Sequence, residues 1–264
     1  MRALTVRGVG VCAAGLPDWL RARRVLAGAA DFEPGLTTDR ALDGLPPTER
    51  RRINETSRLA CLAAADALAT LPAGAAMEMP AIFTSSDGDG AVLAQMLSAL
   101  TRSDVVVSPT AFHNSVYNAP AGYWTIAARS TAPSTTVCAD RDSFAVALLE
   151  AYAQATMSEG SVLVVAVDAP FPQSIRQLGM SAAPFACAIV LDGSRGEKTG
   201  ARLERWNTRH RAASARVDDP IAAAYVGNAA AAALPLLRAL ARRDAVHVEL
   251  PYLDGAALEL EVVP

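Results

Sequence analysis

A layered α/β fold is what this chain predicts, on three observations. Short Val- and Ile-rich runs alternate with longer Ala- and Leu-rich stretches, in the order strand, helix, helix, strand, helix, helix, strand, helix, strand, strand. The central strand-like runs are continuously apolar, which suits strands covered on both faces. And 264 residues of 52% hydrophobic composition can bury a sizeable core, in one large domain or two small fused ones.

Taken in order, residues 4–12 form a Val-rich strand, and Gly15-Leu16-Pro17-Asp18 turns into a helix that holds Trp19, Leu20 and Leu26 and stops at Gly28. Residues 31–47, rich in Pro, Gly and Asp, read as a surface loop. Residues 47–70 read as one long helix, charged at its start and Ala-rich beyond. A short buried strand at 81–84 runs into Ser85-Ser86-Asp87-Gly88-Asp89-Gly90, a polar turn ahead of a helix at 91–100. Such a turn either offers its backbone N–H groups to an anion or is capped by its own Asp and Ser side chains. Its glycine spacing fits neither the dinucleotide fingerprint nor the P-loop, and no cofactor is expected.

The middle of the chain holds a strand at 135–139, a helix at 143–151 and continuous apolar strands at 161–167 and 186–191. A charged turn at 194–199 precedes a strand at 201–206, and the polar residues 207–220 read as a loop or connector. Residues 221–242 read as an Ala/Leu helix in which Pro235 demands a break or kink. The runs 245–250 and 257–263 bracket Leu253-Asp254-Gly255 as a hairpin.

Composition excludes several functions. A net charge of −3, with basic residues only in small clusters at 21–24 and 50–52, gives nucleic-acid binding no support. The apolar run at 221–240 is interrupted by Asn228, Pro235 and Arg238 and falls short of a membrane span. Met1-Arg2 leads directly into a strand without a signal-peptide core, so a cytoplasmic location is expected. Cys12, Cys61, Cys138 and Cys187 are scattered, with no CxxC pair, so neither a metal site nor a disulfide framework is expected.

The segment 108–150, SPTAFHNSVYNAPAGYWTIAARSTAPSTTVCADRDSFAVALLE, carries more specific information. Ser108-Pro109, Asn118, Pro133-Ser134, the strand at 135–139 and the helix from Ser143 follow one another without a gap. In this it resembles the nucleophile-bearing core of a β-ketoacyl synthase. Residues 4–26, RRRINETSRLACLAAADAL at 50–68, and the strand, turn and strand at 186–203 resemble other parts of the same family. The resemblance implies a thiolase-like layered α/β/α fold with a truncated second half. Residues 1–206 would be the ketosynthase N-terminal-like half, and 207–264 a shortened C-terminal half completing the same domain.

The resemblance fails where the chemistry would be. On its register the family's cysteine is replaced by Arg141, and Cys138 lies three residues earlier, in the strand. A guanidinium stays protonated and has no lone pair with which to form a thioester. Strand alternation points Cys138 at a sheet face, where a cysteine is buried core. Asn228 stands where the resemblance places a histidine, and Asn cannot exchange protons near neutral pH. His210, in the polar connector, and His247, in an apolar strand, read as structural.

The family includes subunits that lack the nucleophile: chain-length factors, which pair with a catalytic ketosynthase and wall the tunnel of the growing chain. The chain looks most like the short versions found in aryl polyene and xanthomonadin-type type II polyketide systems. The resemblance implies a heterodimer with a catalytic ketosynthase, service by an acyl carrier protein, and an interface at 112–124 and 133–139. Phe112, His113, Val116, Tyr117, Ala119 and Val137 are the expected tunnel or interface residues, although the aromatic ones are equally expected as core. Arg141 either pairs locally with Asp140 and Asp142 or reaches the partner. An active condensing or acyl-transfer enzyme using Cys138, an acyl-carrier-binding scaffold and a homodimer stay open as alternatives.

Overall fold

The structure, a computed structural model, describes residues 2–37, 40–178, 181–196, 199–210 and 219–264. Strand β1 (Leu4–Ala13) is followed by helices α1 (Trp19–Leu26), α2 (Pro47–Arg52) and α3 (Glu55–Leu68) and strand β2 (Ala81–Thr84). Helices α4 (Gly90–Leu100), α5 (Pro109–Asn114) and α6 (Ala119–Ala128) lead to β3 (Ser134–Val137), α7 (Ser143–Ser158), β4 (Ser161–Asp168) and β5 (Phe185–Asp192). The remainder is β6 (Arg202–His210), α8 (Pro220–Ala224), α9 (Leu234–Arg242), β7 (Val246–Tyr252) and β8 (Ala256–Val263). The strands make one eight-stranded sheet in the order β3-β2-β4-β5-β1-β6-β8-β7. β2, β3 and β4 run parallel, while β5 pairs antiparallel with both β4 and β1.

Continuous apolar character in β4 and β5 does reflect burial on both faces. Along β4, Val162, Val164 and Ala166 enter one core with Phe144 and Leu148 of α7, Leu26 of α1 and Leu237 of α9. Leu163, Val165 and Val167 enter the opposite core with Leu59 and Ala63 of α3 and Tyr123 and Trp124 of α6. Each Val or Leu so buried stabilises the fold by about 1.5–3 kcal/mol relative to exposure. α3 lies very close to β1, because a Cβ at Gly8 or Gly10 would sit 1.9 Å from the Ala67 carbonyl oxygen or 2.0 Å from that of Ala63.

Four expectations need correction. The helix expected at 47–70 is two helices: Ile53 is extended, and the Asn54 side chain accepts from Ser57 N at 2.9 Å, starting α3 afresh. The helix expected at 221–242 breaks well before Pro235, at Tyr225 and at Gly227, whose φ is +77°. It resumes as a 3₁₀ turn (Ala230–Ala233) and then α9, where Pro235 sits harmlessly in the first turn. Residues 207–210, expected as a loop, continue β6 by pairing with 256–259 of β8, so His210 ends a strand. Finally, β3 stops at Val137, which leaves Cys138 beyond the strand and exposed rather than on a buried sheet face. The hairpin forms as expected from β7 and β8. The expected turn at 194–199 lies partly, and the connector at 211–218 wholly, outside the described residues.

Candidate functional site

Parallel strands present their C-terminal ends to one side, which is where α/β sheets carry their sites. Here the turns after β2, β3 and β4 converge around Asp168, the last residue of β4 and only 1% exposed. Its Oδ1 accepts from the Ser85 hydroxyl (2.8 Å), Ser86 N (2.8 Å) and Asp87 N (3.1 Å), and its Oδ2 accepts from Ala230 N (3.1 Å). The backbone donors of the Ser85–Gly90 turn do hold an anion, but it is the protein's own carboxylate. Burial pushes the Asp168 carboxyl up to about 6, against the opposing pull of these donors. Two further donors here are satisfied internally too, Gly88 N by the Ser85 hydroxyl and, in the first turn of α4, Val92 N by the Asp89 side chain.

Asn228 belongs to the same knot. Its Nδ2 donates to the carbonyls of Asp168 and Ala183, each at 2.9 Å, and its Oδ1 accepts from Ala231 N at 3.2 Å. Both ends of this buried amide are therefore engaged by backbone groups, joining the chain between α8 and α9 to Asp168 and Ala183. Asp168 was not singled out from the sequence; the available signal was an acidic residue closing an otherwise apolar strand.

The turn after β3 is built around Asp140, which has a left-handed backbone with φ +48°. The Ser143 hydroxyl accepts from Ala139 N at 3.0 Å and donates to the Asp140 carbonyl at 2.6 Å, which fixes the strand-to-helix turn. Arg141 sits exposed in that turn, immediately before Asp142 and the start of α7. Cys138 donates weakly to the Ser86 carbonyl at 3.7 Å, and the Tyr117 hydroxyl donates to the same oxygen at 3.3 Å. The Cys138 thiol is exposed, with the Ser86 carbonyl as its neighbour. His210 and His247 lie on β6 and β7, toward the opposite end of the sheet order from β3.

Among the described residues β3 is an edge strand, hydrogen-bonded to β2 alone, and Val137 on it is half-buried. In the chain between β2 and β3, residues 93–126 expose several large apolar side chains: Leu93, Leu97 and Leu100 on α4, Val105 and Val106 after it, and Ile126 on α6. Phe112 is 64% exposed, Val116 and Tyr117 nearly half exposed, and His113 is exposed with its ring edge-on to Tyr123. Ala119 is buried and takes no part in this surface. Tyr123 and Trp124, by contrast, are core aromatics. The small pocket under Val116, Tyr117 and Ala119 has room for about one water and none for an acyl chain.

Elsewhere, His247, Glu249 and Glu259 bring their ligand atoms within 4.8 Å of one another on β7 and β8. Arg209 of β6 pairs with both carboxylates, at 3.3 Å to Glu249 and directly with buried Glu259, so the cluster is built as an ion-pair network rather than a metal centre.

No curated protein matches this sequence. Among solved structures, the fold is similar to that of a ketosynthase in complex with its chain length factor from Xenorhabdus doucetiae, with a TM-score of 0.74, 22% identity, and coverage of 99% of this chain and 100% of that one. The ishigamide ketosynthase/chain length factor matches with a TM-score of 0.74 at 15% identity, over 98% and 99% of the two chains. A type II polyketide acyl-carrier protein in complex with its hexaketide-bound ketosynthase matches with a TM-score of 0.74 at 12% identity, over 100% and 99%. At these identities the likeness concerns the fold, which is thiolase-like and of the ketosynthase kind. Residues 20–250 match the family described as beta-ketoacyl synthase, N-terminal domain, from α1 into β7, and it is to this family that the chain belongs.

Proposed function

We propose that this chain is a chain-length-factor-like partner, without condensing chemistry of its own, of a β-ketoacyl-carrier-protein synthase. The observation that carries the reading is Arg141, a permanently charged non-nucleophile exposed in the strand-to-helix turn where the sequence register expects the family's cysteine. Supporting it, the histidine-equivalent Asn228 is fully committed to backbone hydrogen bonds. The open edge of β3 and the apolar surface at 93–126 suit a partner that adds a strand and covers Phe112 and Val116. End-to-end coverage of chains from ketosynthase and chain-length-factor complexes supports the same reading.

On this reading, residues 1–206 are the ketosynthase N-terminal-like half and 207–264 a shortened C-terminal half of one domain. Phe112, His113, Val116, Tyr117 and Val137 lie at the heterodimer interface and near the partner's acyl tunnel. The complex works in the cytoplasm on carrier-bound chains of a polyene type, in keeping with the sequence resemblance and with a match to a structure containing an acyl-carrier protein. Among the described residues no helix is long and apolar enough to cross a membrane. Co-purification with the ketosynthase encoded beside its gene, followed by elongation assays with and without this chain, tests the proposal. It holds if a 1:1 complex forms, elongation requires the chain, and Cys138→Ser is harmless.

One observation favours a second reading. Cys138 is exposed, so an acyl-transfer enzyme using it is the competing hypothesis. That reading requires the purified chain alone to form an acyl thioester that Cys138→Ser abolishes. An acyl-carrier-binding scaffold is separated by product length, which Phe112→Ala or Val116→Ala shifts only if these residues wall the tunnel.

A further inference from the structure

Away from the turns that end β2, β3 and β4, a groove of about 660 Å³ opens between α1, the C-terminal end of α3, the start of β1 and the end of α9. Its volume falls within the roughly 300–1,000 Å³ of small-molecule sites. Val6, Val9, Trp19, Leu20, Leu240 and Pro264 form its apolar lining, and Leu20 is 68% exposed there. A strand irregularity builds one wall: Val6 pairs with Leu191 and Gly8 with Val190, leaving Arg7 without a partner on β5. Bulges of this kind re-aim a side chain, and Arg7 lines the groove. Gly200, at φ +133°, keeps the chain before β6 close against the Val6 carbonyl at the same place, where a Cβ would come within 2.6 Å.

Charge distinguishes this groove from an ordinary surface depression. Arg7, Arg23 and Arg243 all line it, and among the described residues none of the three has a carboxylate partner. The one acidic side chain present, Asp66, is already engaged: Oδ2 accepts from Val11 N and Trp19 N, and Oδ1 pairs with Arg40 at 3.2 Å. Among the described residues, three guanidiniums therefore line an apolar groove without a side-chain carboxylate paired to any of them. Guanidinium forks suit carboxylate and phosphate groups, and an indole beside them suits an apolar body.

We propose that this groove binds a small amphipathic organic anion, with its carboxylate or phosphate head held by Arg7, Arg23 and Arg243 and its apolar body against Trp19 and Leu20. The site shares no residue with the proposed partner interface, and it stands whether or not the chain-length-factor reading does.

The test is calorimetric titration of the full chain with octanoate and with octyl phosphate. Tryptophan fluorescence serves as the site-specific readout, since Trp124 and Trp206 are buried and Trp19 lines the groove. Expected are saturation at one ligand per chain for at least one of the two anions, and no saturation by octanol or by inorganic phosphate at equal concentration. Which anion binds identifies the head group. The double variant Arg23→Gln/Arg243→Gln should bind about tenfold more weakly with an unchanged thermal midpoint, and Trp19→Phe should lose the fluorescence response. If the double variant is destabilised, Arg7→Gln is read in its place. The proposal is overturned if neither anion saturates up to about 10 mM, if octanol binds equally well, or if the arginine variant that folds binds like the native chain.

Discussion

Replacing Asp168 by Asn gives a measurable account of how a buried carboxylate holds the end of the sheet. The amide keeps the size of the side chain and one oxygen for Ser85, Ser86 and Asp87, but turns an N–H toward the Ala230 N–H, whose acceptor is lost. One buried unsatisfied donor costs about 1–3 kcal/mol, independent of pH. The native carboxyl adds a pH-dependent part, because its pKa rises from 3.8 to about 6 on folding. A group raised in the folded state stabilises most below its unfolded pKa and loses that contribution as pH rises through its folded value. The difference of about 2 units corresponds to about 3 kcal/mol. The native chain should therefore lose about 3 kcal/mol relative to Asp168→Asn between pH 3 and pH 8, as measured by urea unfolding at several pH values. Parallel profiles would refute the reasoning. An opposite slope would show that the four donors outweigh burial and hold the carboxyl below its ordinary range.

Other consequences are equally direct. Gly10→Ala would put a Cβ 2.0 Å from the Ala63 carbonyl oxygen, forcing α3 off β1; a loss of about 1–3 kcal/mol or more is expected in thermal unfolding, and an unchanged midpoint would contradict the packing. Arg209→Met leaves Glu249 and Glu259 directly opposite each other in the β7–β8 register. It should cost about 1–3 kcal/mol, and much of that should be recovered by adding Glu249→Gln in a double-mutant cycle. Native thiol titration should find one fast-reacting cysteine of four: Cys138 is exposed, while burial pushes Cys12 and Cys61 up to about 12 and raises Cys187 as well. Cys138→Ser should abolish the fast phase, and a fast phase that survives would place a second thiol at the surface.

Local signals proved sufficient wherever the outcome depended on neighbours in sequence. The strand at 81–84 and the cores of β4 and β5 followed from uninterrupted apolar runs, and α1 from the Asp18 start and Gly28 stop that the structure retains. The helices at 47–70 and 221–242 break for related reasons. Ala-rich composition favours helix by a few tenths of a kcal/mol per residue, whereas an Asn side chain that finds backbone partners favours a break by about 1 kcal/mol. At Asn54 the partner is three residues away and could have been anticipated. At Asn228 the partners are 60 and 45 residues away, and periodicity carries no trace of them.

The candidate site divides along the same line. Residue identity and spacing alone pointed to the β-ketoacyl synthase family, because the segment 108–150 carries the resemblance in its own order of residues, and with it the expectation that Arg141 and Asn228 stand where that family has reactive side chains. Only the tertiary structure decided that β3 is an open edge, that Cys138 lies outside the strand, and that Asp168 ties the Ser85 turn, 83 residues away, to the chain at Ala230, 62 residues beyond it. Burial, edge position and long-range hydrogen bonding are properties of how segments are brought together, and a linear pattern of apolar and polar residues specifies the segments without specifying which of them meet.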